Sequence, residues 1–338
     1  MDATNDSTLD VLLTNDSTLD VLLTTSQLIP LAIYTTLATI LGLIGNTVVL
    51  YSSIRYNAIQ MDKVSLLLVQ NLAAADLLYI FTNMIPASIS YIAKKYVLGK
   101  VYCFWTAQTP FIPAGVNTLT VFAITAYRLR LLLSPMNNMP RGRAKMCIGA
   151  IWVIAAIPTI MALVYGAESK FSQKSAKCFS TIYFIKSASV LFRFVWGTIV
   201  IVPVISIVII NILLFAISSK YRTKQDSSSA QANNLRALTT ICALSGVFII
   251  SWIPNMIMMV WKGVDSNAPK VVEQIGISTV MLNAFCNPIL YTITNKRFGK
   301  FVWKMVSGVI PSKSGVSTTA KKSSNADSSL KKTAESSI

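Results

Sequence analysis

Asp76 is the residue whose type and surroundings most strongly suggest chemistry. It is a single carboxylate within the apolar stretch NLAAADLLYIF. Burying a lone charge in hydrocarbon costs several kcal/mol, so such a residue normally serves a function. Its candidate polar partners at membrane depth are Asn46, Asn117, Asn283 and Asn287. The alternative is a protonated aspartic acid that only hydrogen-bonds neighbouring helices, and the residues alone leave both open.

The sequence lacks the side chain that catalytic sites use most often as acid, base or metal ligand. The sequence contains no histidine, which excludes His-ligated metal sites and His-based acid–base catalysis. It also offers no recognisable nucleophile–base pair or cluster of metal ligands. We therefore predict that the protein is not an enzyme.

The composition indicates a membrane protein. Of the 338 residues, 53% are hydrophobic and only 13% are charged, whereas soluble domains are about one quarter charged. Crossing a bilayer core takes roughly 20 apolar helical residues. Seven stretches meet this length: residues 27–54, 64–91, 100–133, 144–165, 189–219, 234–262 and 270–294. The predicted fold class is an all-α membrane protein with a seven-transmembrane helix bundle.

The basic residues indicate the orientation of the bundle. With the amino terminus outside, nineteen Lys and Arg residues fall in the inner loops and tail, and ten fall in the outer loops. Cytoplasmic loops normally carry this excess, so the amino terminus is expected outside and the carboxyl terminus in the cytoplasm of a multi-pass plasma membrane protein. The net charge of +17 is then explained by the basic residues of the inner loops and tail, and no nucleic acid partner is expected.

The two ends differ from the bundle, which we assign to residues 27–306. Residues 1–26 contain a tandem repeat, TNDSTLDVLL, with glycosylation sequons at Asn5 and Asn15, and we expect an extracellular glycosylated tail. The segment NKRFGKFVWKM predicts a short amphipathic cytoplasmic helix along the lipid of the inner leaflet. Residues 307–338, rich in Ser, Thr and Lys, are expected to be a disordered cytoplasmic tail.

Two cysteines lie on the predicted outer side. Cys103 opens the third span and Cys178 precedes the fifth, so a disulfide between them is the natural interpretation in an oxidising compartment. Arg128 follows Cys103 by about 37 Å of helix. The two residues therefore fit the opposite mouths of one span.

Several motifs follow one another, one set per span: Gly45-Asn46, LAAAD ending at Asp76, Cys103, Arg128, Trp152, Pro203, Trp252-Ile253-Pro254, and Asn287-Pro288-Ile289-Leu290-Tyr291. This order resembles the rhodopsin-like (class A) family of G protein-coupled receptors, of orphan or peptide type, over about residues 27–306. The resemblance implies an extracellular ligand, a heterotrimeric G protein, and arrestin and receptor kinases at the Ser/Thr-rich tail.

The resemblance also implies residue roles. Arg128 would receive the G protein, and Tyr291 would move inward on activation. The ligand pocket and its switch would comprise Trp252 as the switch beneath the ligand, Pro254 as the hinge, and Met281. The disulfide would pin the second outer loop. A sodium ion would act as allosteric modulator, with no other cofactor, in a pocket lined by Asp76, Asn117, Asn283 and Asn287.

The sequence departs from the family pattern beside the arginine. The family normally has an acidic residue before it, but Tyr127 stands there, and the start of the sixth span offers no acid either. We therefore expect Arg128 to lack an acidic partner, and basal signalling to exceed that of a Tyr127→Asp variant. A competing lock is a hydrogen bond from Asn211 to Asn234 across the fifth and sixth spans. Asn117 also replaces the serine usual in the sodium pocket.

Two ligand classes lack their key residue. An opsin carries a lysine in the seventh span where this chain has Met281, and aminergic receptors carry an aspartate where it has Pro110. The basic outer loops, and a loop over 166–188 long enough for the hairpin lid of peptide receptors, favour a peptide ligand. A non-peptide small molecule is the alternative ligand.

A function of another class also stays open. A seven-helix transporter or channel could use Asp76 as its ion site. Transporters usually contain inverted repeats or discontinuous helices in matched halves. The sequence has no such internal similarity, so we favour the receptor.

Overall fold

Seven helical spans follow one another in a computed structural model that describes residues 25–55, 62–134, 139–172, 177–223, 229–264 and 270–307. The helices are α1 (Thr25–Arg55), α2 (Lys63–Tyr79), α3 (Ile85–Ala93), α4 (Gly99–Gln108), α5 (Phe111–Leu133), α6 (Arg141–Val164), α7 (Lys186–Thr223), α8 (Ser229–Val264), α9 (Lys270–Thr294) and α10 (Lys296–Val306). The first span is α1, the second runs from α2 through α3, the third is α4 with α5, and α6 to α9 are the fourth to seventh. The predicted spans are confirmed to within a few residues.

The surface of the bundle is apolar, as expected of helices in lipid. Side chains such as Ile44, Val153 and Ile212 are more than half exposed, whereas Asp76 and Asn46 are buried. Within the described residues, helices long and apolar enough to cross a membrane cover Leu28–Ile54, Lys63–Ala93, Gly99–Leu133, Arg141–Val164 and Lys186–Ile217. The sixth span adds a shorter apolar helix over Cys242–Met258. The arrangement is that of a membrane bundle with a polar centre.

The first and seventh spans approach closely because a glycine faces a proline. A Cβ atom on Gly45 would lie 2.7 Å from Cβ of Pro288, a separation that no side chain tolerates without movement. The Asn46 amide donates to the carbonyl oxygens of Gly42 at 2.9 Å and Ala284 at 2.6 Å. This second bond satisfies a carbonyl of the proline-containing seventh span.

We call the end of the bundle that the predicted orientation places outside its outer end and the opposite end its inner end. Two spans are irregular in their outer halves. In the third span the helix is interrupted between Gln108 and Phe111, where Pro110 stands and removes a backbone donor. Pro113 falls in the first turn of α5, where a missing N–H costs little. The second span contains a π-helical turn over Ile80–Met84, which the sequence did not predict.

A β-hairpin forms the outer loop between the fourth and fifth spans, in agreement with the expected lid. Strands β1 (Ser169–Ser172) and β2 (Lys177–Ser180) pair antiparallel, with Phe171 opposite Cys178. A short 3₁₀ helix over Thr181–Phe184 then leads into the fifth span.

Helix α10 begins directly after the seventh span. Asn295 caps it by accepting a hydrogen bond from the Phe298 backbone N–H at 3.1 Å. Phe298 and Phe301 are buried against the bundle, whereas Trp303 is exposed. The predicted tails, including both sequons, lie outside the described residues.

Candidate functional site

The outer end of the third span is tied to the hairpin at two points. Cys103 and Cys178 form a disulfide with a Cα–Cα distance of 5.4 Å, as predicted. One turn further in, the buried Gln108 amide donates to the carbonyl oxygens of Ala167 at 2.9 Å and Glu168 at 3.2 Å, at the root of the hairpin. The bridge holds one strand and the amide holds the hairpin base, so the lid has a fixed position over the bundle.

Below the lid, an aromatic cluster fills the space between the third and fifth spans. The ring centroid of Phe111 lies 5.1 Å from that of Phe192 and 5.2 Å from that of Trp196, both edge-to-face. Tyr183 packs edge-to-face on Phe192 at 5.1 Å. Such contacts add about 0.5–1.5 kcal/mol each beyond burial. This cluster was missed from the sequence, because its members come from three separate elements with no common motif.

Of the residues assigned to the ligand pocket and its switch, Trp252 and Met281 are buried and Pro254 is half-buried, and Met281 packs in a different cluster from Trp252. Trp252 packs against Phe248 of the same helix with ring centroids 5.8 Å apart, and its indole N–H has no acceptor among the described residues. Pro254 lies two residues further along the sixth span. Met281 is 1% exposed and packs in a separate cluster with residues of the first and second spans, including Ala38, Tyr79 and Met84. Met281 therefore belongs to the side of the bundle away from the aromatic cluster.

Asp76 lies fully buried at the polar centre, and two of its predicted partners contact it. The Asn117 amide donates to Asp76 Oδ1 at 2.8 Å, and the Asn287 amide donates to Oδ2 at 2.9 Å. The second, third and seventh spans therefore meet at one carboxylate. Asn46 does not join them, because its amide donates to backbone carbonyls.

Asn283, the remaining residue assigned to the sodium pocket, is buried but makes its hydrogen bond to another residue. Its amide oxygen accepts from Ser251 Oγ of the sixth span at 2.9 Å, and its amide nitrogen has no acceptor among the described residues. The amide oxygen of Asn117 is likewise buried without a hydrogen-bond donor in the described part of the chain. A carboxylate beside an unpaired amide oxygen is the hard oxygen chemistry that small cations prefer. The donor set is thus compatible with a bound cation.

At the inner end of the third span, Arg128 faces an acid that the sequence analysis did not consider. Nη2 of Arg128 lies 3.4 Å from Oδ2 of Asp62, and the two side chains are 12% and 33% exposed. The expectation that Arg128 lacks an acidic partner is therefore wrong. The counter-charge comes from the residue that begins the second span rather than from the residue before the arginine.

Asp62 is held by the helix that it caps. Its Oδ1 accepts from the backbone N–H groups of Val64 at 3.1 Å and Ser65 at 3.0 Å, and its Oδ2 accepts from Ser65 Oγ at 2.7 Å. Burial opposes ionisation of this carboxyl, but the bonds from Ser65 and the charge of Arg128 outweigh it and hold the pKa of Asp62 below its usual value. A usable signal was present, since an aspartate just before an apolar helical stretch predicts an N-cap.

The remaining inner residues hold the third and sixth spans together. Thr125 Oγ1 and Ser245 Oγ lie 3.2 Å apart and are both buried. Tyr291 is 2% exposed, and its hydroxyl has no partner among the described residues. The Asn211 amide donates to Ile207 of its own helix, so this donor does not bridge spans. The side chain of Asn234 lies outside the described residues.

Comparison with known proteins places this arrangement in a family. The chain is 24% identical over 300 residues to "Rhodopsin, GQ-coupled" of Mizuhopecten yessoensis, covering 82% of this chain but only 59% of that protein. It is 24% identical to "Neuropeptide Y receptor type 2" of Homo sapiens, covering 77% of this chain and 72% of the receptor. The crystal structure of squid rhodopsin superposes with a TM-score of 0.67 at 18% identity, over 83% of this chain and 80% of that one. This last likeness concerns the fold.

A family model decides the assignment. The model described as "7 transmembrane receptor (rhodopsin family)" matches residues 45–291, which include the polar centre, Arg128 and Tyr291. This family consists of receptors rather than enzymes, in agreement with the missing catalytic residues. The chain is a multi-pass membrane protein that belongs to the rhodopsin family of seven-transmembrane receptors.

Proposed function

We propose that this protein is a plasma membrane receptor that binds an extracellular peptide and activates heterotrimeric G proteins. The observation that carries the proposal is the ion pair between Arg128 and Asp62 at the inner end of the bundle. The same bundle contains the polar centre around Asp76 and an outer hairpin held by the Cys103–Cys178 disulfide. The fixed hairpin gives a ligand a surface to bind at the outer end. At the inner end, breaking the ion pair would free the Arg128 side chain to contact a G protein. A ligand that alters the packing between these ends shifts the population of states.

The proposed ligand class rests on the positive charge of the outer end and on the absence of a lysine at position 281, where retinal would be attached. The side chains of Lys95, Lys100 and Lys186 are exposed at the outer end. A cationic rim raises the local concentration of an anionic peptide or of a peptide carboxylate. Met281 has no amine to form a Schiff base, so retinal is disfavoured in spite of the similarity to rhodopsins.

A peptide library tests the ligand class. Cells that express the full chain should respond to at least one peptide through a second-messenger reporter, and cells that express Arg128→Ala at the same surface level should not. Replacing Lys95, Lys100 and Lys186 by Gln should reduce the potency of that peptide. The matched control is Lys145→Gln, an exposed lysine at the inner end, which should leave potency unchanged. A library response that survives Arg128→Ala would contradict the proposal.

We also propose that sodium modulates this receptor from the polar centre. Asp76, Asn117, Asn283 and Asn287 would hold the ion, and a bound sodium ion would supply positive charge that favours the inactive packing. The unpaired oxygen of Asn117 supports this, although Asn117 replaces the usual serine. Linkage then requires that sodium lower agonist affinity.

The remaining proposals concern sides and partners. We place the glycosylated tail with Asn5 and Asn15 outside, and the basic face of α10 against inner-leaflet lipid. The Ser/Thr-rich segment over 307–338 is proposed to take phosphate from receptor kinases and then to bind arrestin.

A further inference from the structure

Arg128 is a cation removed from water, and its charge needs a partner. Its side chain is only 12% exposed, and among the described residues Asp62 makes the ion pair with it. Nε and Nη2 of Arg128 have no hydrogen-bond acceptor in the same part of the chain. The 3.4 Å separation is longer than a direct hydrogen bond. Within the described residues, the arginine is therefore neutralised by charge while its Nε and Nη2 donors have no acceptor.

Asp62 is a preorganised acceptor. Three hydrogen bonds from Val64 and Ser65 fix its carboxylate at the amino terminus of α2, where the aligned peptide dipoles also favour negative charge. The carboxylate therefore stays in place whether or not Arg128 is beside it. Moving Arg128 away costs the ion pair without a compensating rearrangement of the acid.

Tyr127 is part of the same group. Its side chain is 5% exposed, and its hydroxyl is close enough to the Asp62 carboxylate for the two groups to interact electrostatically. A tyrosine hydroxyl can donate to a carboxylate, whereas an acid at this position would repel it. Tyr127 thus fits an acid that comes from the second span. Asp62 therefore supplies the negative charge that the family normally has at the position of Tyr127.

We propose that Asp62 is a positioning residue that holds Arg128 in the inactive state and takes the place of the acid missing at position 127. The restraint connects the third span to the second span, and Tyr127 leaves it intact because a neutral hydroxyl does not repel the Asp62 carboxylate. The inference rests on the proposed coupling of Arg128 to G proteins. It reverses the expectation of high basal activity that the tyrosine alone suggests.

Charge relocation tests the proposal. Asp62→Asn keeps an N-cap of similar quality but removes the charge, and ligand-free nucleotide exchange at equal surface level should rise about two- to fivefold, the range of a partly exposed ion pair. Adding Tyr127→Asp to Asp62→Asn should return exchange to the wild-type level, because the acid is then supplied from the usual position. Tyr127→Asp alone should not lower exchange. The matched control is Lys145→Gln, which removes an exposed charge at the inner end without touching Asp62 or Arg128, and it should stay at the wild-type level.

A second measurement is independent of any G protein. Thermal unfolding of the purified full chain in detergent is compared for Asp62→Asn, Arg128→Gln and the double variant. The proposal requires that the double variant be shifted by less than the sum of the single shifts. Additive shifts, or exchange in Asp62→Asn equal to wild type, would overturn it. If the wild type and all variants give no exchange above receptor-free membranes, the G protein function fails, and the unfolding cycle alone then decides whether Asp62 restrains Arg128.

Discussion

Removing one hydroxyl between the third and sixth spans should raise basal activity. Thr125 Oγ1 donates to Val121 of its own helix at 2.7 Å and lies 3.2 Å from Ser245 Oγ. Since the hydroxyl hydrogen of Thr125 is engaged, Ser245 is the donor between the spans. Ser245 lies on the inner side of Pro254, the hinge that the family resemblance implies. The bond therefore breaks when the inner half of the sixth span moves.

The expected increase in basal activity follows from the free energy of a hydrogen bond between two membrane helices. Hydrogen bonds between membrane helices contribute about 0.6 kcal/mol on average and about 1.7 kcal/mol at most. While the active fraction is small, losing that amount multiplies it by about threefold to about sixteenfold. We expect Thr125→Val and Ser245→Ala each to raise basal nucleotide exchange by a factor in this range. The double variant should give about the same increase as either single variant, because both substitutions remove the same bond.

The assay is ligand-free guanine nucleotide exchange at matched surface expression. Thr118→Val is the matched control, since Thr118 is equally buried and its hydroxyl donates at 2.8 Å to Ala114 of its own helix. It removes a hydroxyl and a local bond without disconnecting two spans. Equal exchange in Thr125→Val and Thr118→Val would refute the reasoning.

Three further outcomes follow from the described geometry. Cys103→Ser or Cys178→Ser should sharply reduce surface expression or ligand binding, and reaction of both native thiols with a membrane-impermeant maleimide would contradict the bridge. Replacing sodium by a large organic cation should raise agonist affinity and lower the unfolding temperature of the wild type but not of Asp76→Ala; equal values in both salts would remove the sodium site. Gly45→Ala should destabilise the purified protein by about 1–3 kcal/mol through contact with Pro288, as measured by thermal unfolding, whereas Gly149→Ala, in open space, should not; similar unfolding of both variants would argue against close packing of the first and seventh spans.

The spans could be predicted because bilayer thickness fixes helix length and because composition leaves little choice of where they lie. The contacts of Asp76 with Asn117 and Asn287 could also be anticipated, since a buried carboxylate must meet polar groups and few exist at that depth. Asn283 was expected beside Asp76, whereas the hydrogen bond that it makes in the structure is to Ser251 of the sixth span.

The missing parts depend on distances between spans. Asp62 falls outside the predicted second span of residues 64–91 and was not considered as a partner, although its capping position puts it at the level of the inner end of the third span, where Arg128 lies. The aromatic cluster around Phe111 and the π-helical turn at Ile80–Met84 arise from packing between elements, which no single stretch of sequence encodes. Local pattern therefore predicted the bundle, and tertiary contact decided how its charge is balanced.

The most direct test of the account is ligand-free and peptide-stimulated nucleotide exchange on a panel of heterotrimeric G proteins by the full chain in liposomes. We predict exchange above receptor-free liposomes for the wild type and its loss in Arg128→Ala. Exchange that is equal in both proteins, or an absence of exchange accompanied by sodium flux across the same liposomes, would contradict a receptor that acts through Arg128.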